Sequence, residues 1–105
     1  MVENEFVAFV REQLRLVSGV EFRAMFGGHG IYQHGVFFGI VSKGSVYFNT
    51  GSKNRKDYID RGMQPFRPNE KQTLKNYYEV PAEILEDEEQ LAEWACNAGG
   101  NVSEP

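Results

Sequence analysis

The amino-acid sequence predicts an α+β fold: an antiparallel β-sheet of about five or six strands, a meander at its core, packed by N-terminal and C-terminal helices. Three observations lead there. An apolar stripe of helical period opens the chain, short β-like runs broken by glycine fill the middle, and a second helical stripe closes it.

The first stripe is Phe6, Val10, Leu14 and Val17, widened by Phe9, with Glu5, Arg11, Glu12 and Arg15 mostly opposite. This pattern predicts an amphipathic helix over residues 3–18, stopped at Gly19. Residues 20–26 then read as a strand, ended by Gly27-Gly28-His29-Gly30 as a tight turn that needs positive φ angles. Ile31-Tyr32-Gln33 and residues 36–42 flank His34-Gly35, and Lys43-Gly44 separates the latter run from Ser45 to Asn49. Connections this short make hairpins, not parallel crossovers. The run Val36-Phe37-Phe38-Gly39-Ile40-Val41 suggests a strand buried on both faces, with close backbone approach at Gly39.

Residues 52–61 predict a short polar helix capped by Ser52, anchored by Tyr58 and Ile59 and ended at Gly62. Pro65 and Pro68 bracket an extended or edge segment, and residues 72–80 form the next strand. Pro81 starts a helical turn reaching Ile84. Asp87 and Gln90 have capping-box spacing before the second stripe of Leu91, Trp94, Ala95 and Ala98, which Gly99-Gly100 ends. Trp94 is expected to bury its indole against the sheet. The domain spans residues 1–100, and 101–105 read as a flexible tail.

Composition narrows the function classes. With 41% hydrophobic and 13% aromatic residues, the chain is too apolar for disorder. No apolar run approaches the length of a membrane span, no signal peptide is visible, and Cys96 is the only cysteine; a cytoplasmic protein without disulfides is expected. Charge is polarised. Residues 43–75 carry eight basic groups against three acidic ones, a net of +5, whereas 79–105 carry eight acidic groups and no Lys or Arg. Two solvated faces of opposite sign explain this. The alternative is a partner surface, with Lys53, Arg55, Lys56, Arg67 and Lys71 as partner or phosphate contacts.

No catalytic set emerges. The glycine run lacks the features of a phosphate loop and precedes a strand, so no helix dipole serves it. His29 and His34 read as turn histidines, which a hairpin could bring near one another; two histidines with a distant Cys96 fall short of a zinc set. Cys96 is expected buried or half-buried and inert. Phe66, Tyr77 and Tyr78 read as core or cross-strand partners in preference to base-stacking groups. Neither a metal nor a cofactor is expected.

Three stretches taken together resemble a known family. They are Arg23-Ala24-Met25-Phe26-Gly27-Gly28-His29-Gly30-Ile31-Tyr32, then Val46-Tyr47-Phe48 after Lys43-Gly44, then Gly62-Met63-Gln64-Pro65-Phe66 leading to Asn76-Tyr77-Tyr78-Glu79-Val80-Pro81. In this order and spacing the chain is similar to the N-terminal domain of TfoX/Sxy proteins, regulators of natural competence in bacteria. The resemblance implies an α+β domain of the bacterial cytoplasm, tied to competence gene expression or DNA uptake, and no catalytic residue. Longer relatives add a C-terminal helical domain, so this sequence reads as a standalone short form. Many relatives have Lys or Arg where this sequence has Asn49; a partner contribution from that position is then either missing here or transferred to Lys53 or Arg55. A non-enzymatic regulatory domain acting through a protein partner is the resulting expectation. Direct nucleic-acid binding by the 43–75 segment is the alternative, and a homodimer is a further form of partnership.

Overall fold

A computed structural model describes residues 3–25 and 27–101. The elements are α1 (Glu3–Gln13), β1 (Val20–Met25), β2 (Gly28–Gln33), β3 (Val36–Ser42), β4 (Ser45–Asn49), α2 (Arg55–Ile59), β5 (Pro65–Asn69), β6 (Gln72–Glu79), α3 (Ala82–Leu85) and α4 (Glu88–Asn101). The six strands form one antiparallel sheet in the order β1-β2-β3-β4-β6-β5. The first four make the meander. The β5–β6 hairpin then folds back so that β6 joins β4 and β5 becomes an edge.

The hairpins follow from local chemistry. His34 and Gly35 have φ of 49° and 82°, and Lys43 and Gly44 have 49° and 78°. Positive φ at both central residues is the turn whose twist matches that of the flanking strands. Within β3 one residue, Phe38, is skipped between the pairs Tyr32↔Phe37 and Ile31↔Gly39, so β3 bulges. The bulge lets Phe38 reach the same core as Val41, three residues on.

That core joins Phe6 and Val10 of α1, Leu14 just beyond it, Ile31, Phe38, Val41, Val46 and Phe48 of the sheet, Tyr58 of α2, Ile84 of α3 and Leu91, Ala95 and Ala98 of α4. Ala95 and Ala98 are fully buried, which lets α4 lie close over β3 and β4. Asp87 caps α4: its Oδ1 accepts from the Gln90 N–H at 3.1 Å, while the Gln90 side-chain amide donates to Oδ2 at 2.9 Å. The two residues thus close on the carboxylate itself. These bonds hold the Asp87 carboxyl below its ordinary range.

Several expectations are corrected. The first helix ends at Gln13, because the chain tightens into i→i−3 bonds from Arg15 to Glu12 and from Val17 to Leu14. The tightening turns both Leu14 and Val17 into the core and leads into β1. Gly28, His29 and Gly30 belong to β2 and not to a turn; only Gly27 of this run has positive φ. Their glycines serve proximity: a Cβ on Gly28 would lie 2.1 Å from the Val41 carbonyl oxygen, and one on Gly30 would lie 2.4 Å from Met25 Sδ. Phe26, expected in the first strand, lies outside the described residues.

Ser52 does not cap α2. The residue before the helix is Asn54, whose Oδ1 accepts from the Gly51 N–H at 2.8 Å. Tyr58 anchors that helix at 1% exposure, but Ile59, one step around a five-residue helix, is 52% exposed. The final helix runs through Gly99-Gly100 to Asn101, since the packed Ala95 and Ala98 turn outweighs the low helix propensity of glycine. Residue 101, assigned to the tail, is therefore helical, and 102–105 lie outside the described residues. Cys96 is exposed, because it follows the buried Ala95 and points about 100° away from the sheet. Trp94 is half-buried at the core margin, its ring 4.6 Å from that of Tyr58 and beneath the Arg61 guanidinium at 5.2 Å.

Candidate partner-binding surface

The basic residues singled out in the sequence occupy two separate places. Lys53, Arg55 and Lys56 lie at the start of α2, and Arg67 and Lys71 lie at the β5–β6 turn. Arg55 joins the first group to β6 through Asn76. The turn begins beyond Gln72, four residues further along that strand, or about 13 Å at the usual rise.

Their environments differ. Arg55 is a buttress: its Nε donates to Thr50 Oγ1 at 2.9 Å, and its Nη2 donates to the Thr50 carbonyl at 3.1 Å and to Asn76 Oδ1 at 2.9 Å. Thr50 in turn donates its N–H and hydroxyl to the Asn76 carbonyl at 2.6 and 2.8 Å. The guanidinium therefore stitches the end of β4 to β6. Lys53 and Lys56 are exposed, and Lys56 pairs with Asp60 at 2.6 Å one turn on. Asp60 raises the Lys56 ammonium above its ordinary range. Arg67 is exposed and donates to the Glu70 carbonyl at 3.1 Å. Lys71 is exposed, with its backbone N–H held by Asn69 Oδ1 at 2.8 Å. Lys53, Arg67 and Lys71 thus present charge to solvent and Lys56 does so beside Asp60, while Arg55 directs its Nε and Nη2 donors to Thr50 and Asn76.

The helices gather on one sheet face. The other face carries an aromatic layer that the sequence reading did not single out as a surface. Rings pair Tyr32 with Phe37 at 5.3 Å, Phe37 with Tyr77 at 5.5 Å and Tyr47 with Phe66 at 4.7 Å. None of these belongs to the helix-side core, and Ile40 is 2% exposed beneath the layer. Gly30, opposite Ile40, leaves the space that Met25, Phe37 and Tyr32 fill. Burial, with Tyr32 second, pushes the Tyr77 hydroxyl up to about 12. Burial and then Glu79 raise Tyr47. Phe66 and Tyr77 are therefore cross-strand packing partners, as read from the sequence, and Tyr78 packs on the other side 6.1 Å from Tyr58. The signal for this layer was strand alternation, but the β3 bulge shifts its phase where it counts.

The histidines do not converge. They sit at opposite ends of the β2 segment, five residues or about 16 Å apart along a strand. His34 Nε2 lies 3.4 Å from Ser18 Oγ, and its ring fills the space beside Gly19. Among the described residues no group of three or more His, Cys, Asp or Glu side chains is placed to hold a metal. No described helix is long and apolar enough to cross a membrane.

No curated protein matches the chain. A family model for the TfoX N-terminal domain matches residues 12–100, a span that runs from the last turn of α1 through nearly all of α4. With the fold and the three quoted stretches inside that span, the chain belongs to the TfoX N-terminal domain family.

Proposed function

We propose that this domain is a non-enzymatic regulator of competence gene expression that acts by binding a bacterial protein. The observation that carries the reading is the exposure of Lys53 and Lys56 at α2 and of Arg67 and Lys71 at the β5–β6 hairpin, in a chain whose net charge is −4. Charge concentrated against the overall sign steers an acidic partner surface to these two clusters. Arg55 acts indirectly, by fixing the segment that presents Lys53 and Lys56. Family membership supports the regulatory role, and the dispersed histidines and exposed Cys96 offer no convergent catalytic geometry among the described residues.

The test is affinity capture from nuclease-treated bacterial lysate, with Lys53, Lys56, Arg67 and Lys71 reversed to Glu in a matched variant. One protein recovered by the native chain and lost with the variant supports the reading. Equal recovery by both overturns it. If binding requires DNA, and the purified chain shifts DNA with strong salt dependence, the nucleic-acid alternative takes its place.

A further inference from the structure

The two edges of the sheet differ. At one edge, β5 contains Pro65 and Pro68, which lack an N–H and blunt the strand. The other edge is β1, six residues without proline, paired only with β2. His34 donates its N–H to the Gly19 carbonyl at 2.9 Å, and the register continues as Val20↔Gln33 and Glu21↔Tyr32. Backbone groups alternate along an antiparallel ladder, so Glu21, Arg23 and Met25 turn theirs to β2, while Val20, Phe22 and Ala24 turn theirs outward.

We propose that this edge pairs with β1 of a second copy of the chain, antiparallel about a two-fold axis through Phe22. The register is selected by charge. With Phe22 opposite the partner's Phe22, Glu21 faces the partner's Arg23 and Arg23 faces the partner's Glu21. A slip of two residues one way sets Glu21 against the partner's Glu21; the same slip the other way sets Arg23 against the partner's Arg23. Either slip puts like charges directly opposite, which is unfavourable.

The central register also matches the outward backbone groups. Val20 meets the partner's Ala24, Phe22 meets the partner's Phe22, and Ala24 meets the partner's Val20. Three pairs that each exchange two bonds give about six backbone hydrogen bonds. Within one chain Arg23 lies over the Tyr32 ring at 4.6 Å and reaches Glu21 at 3.3 Å, an ion pair that contributes little by itself because both side chains are more than half exposed. Pairing two copies sets each of these charges opposite an additional charge of opposite sign. The Arg11 guanidinium lies over the Phe22 ring at 4.9 Å. Such a contact is isologous and closed, so it makes a dimer with one continuous sheet and not a filament. It is independent of the basic residues of α2 and of the β5–β6 hairpin on the far side of the sheet, and either reading can fail alone.

Sedimentation equilibrium on the full chain tests this with four proteins: the native chain, Glu21→Arg, Arg23→Glu and the double exchange. The native chain is expected at twice its 12.0 kDa mass. Each single reversal converts two opposed pairs into two like-charge pairs and weakens association by about tenfold or more. The double exchange restores the dimer, and so does an equimolar mixture of the two single variants, which become complementary to each other. Circular dichroism melts show that each variant is folded. Ala24→Pro removes an outward N–H without touching the β1–β2 ladder and also weakens the dimer. The proposal is overturned if the native chain stays monomeric up to about 1 mM, the weak end of measurable affinity. It is equally overturned if folded single variants dimerise like the native chain, or if their mixture stays monomeric.

Discussion

Arg55 is tied to Asn76 across 21 residues of chain, its Nη2 donating to the Asn76 Oδ1 at 2.9 Å while its Nε holds Thr50. A side chain that reads as a surface cation thus joins β4, α2 and β6. Arg55→Ala should cost about 1–2 kcal/mol, the loss of charge-assisted hydrogen bonds at a half-buried site. Lys53→Ala, a few residues away and exposed, should leave the urea midpoint where it is. Urea melts of the two variants check this, and equal midpoints would return Arg55 to the surface.

Trp94 rests on Tyr58 with Arg61 above it, and Arg61 in turn reaches Glu83 at 3.4 Å. The indole is half-buried, so Trp94→Ala should cost about 2–3 kcal/mol, below the ~3–5 kcal/mol of a fully buried large aromatic. Tryptophan emission provides a second reading: Arg61→Ala should shift it toward longer wavelength by opening the ring to water. An unchanged spectrum would mean the cation does not cover the ring.

A Cβ at Gly28 has nowhere to go, since the Val41 carbonyl oxygen would lie 2.1 Å away and the neighbour is backbone. Gly28→Ala should therefore force β2 from β3 and cost about 1–3 kcal/mol as overpacking, although its φ is not positive. Amide exchange along β3 should quicken around Val41 in the same variant. Native-like protection there would show that the two strands stand further apart.

The tyrosines make stability fall in alkali. Tyr77 has an ordinary value of 10.0 and is raised to about 12 in the folded protein, by burial first and Tyr32 second. A raised folded value favours the protonated form, so its contribution is complete below pH 10 and is lost as pH rises through 12. Tyr58 is raised further by burial, in the same direction. Thermal melts from pH 9 to 12 should show the decline, and Tyr77→Phe should lessen it. An identical decline in Tyr77→Phe would assign it elsewhere.

Local chemistry made much of the fold legible. Residues 36–42 and 45–49 are strands with the predicted bounds, because β-forming runs and two-residue glycine turns act over a handful of neighbours. The apolar stripes likewise reveal the helix faces that meet the sheet. Gly28 and Gly30 show where such reading stops. A glycine needed for a positive φ and one needed for a strand passing within touching distance look the same in sequence, and only the distant Val41 and Met25 distinguish them. The candidate surface divides in the same way. The excess of cations in residues 43–75 can be counted from the chain, but its division into the exposed Lys53, Lys56, Arg67 and Lys71 and the committed Arg55 depends on the return of β6 beside β4. Composition and periodicity determined which elements form and which faces are apolar, since those are properties of neighbouring residues. Tertiary structure alone decided which polar groups are spent inside the fold and which strand edge stays open, because both depend on segments far apart in the chain being packed together.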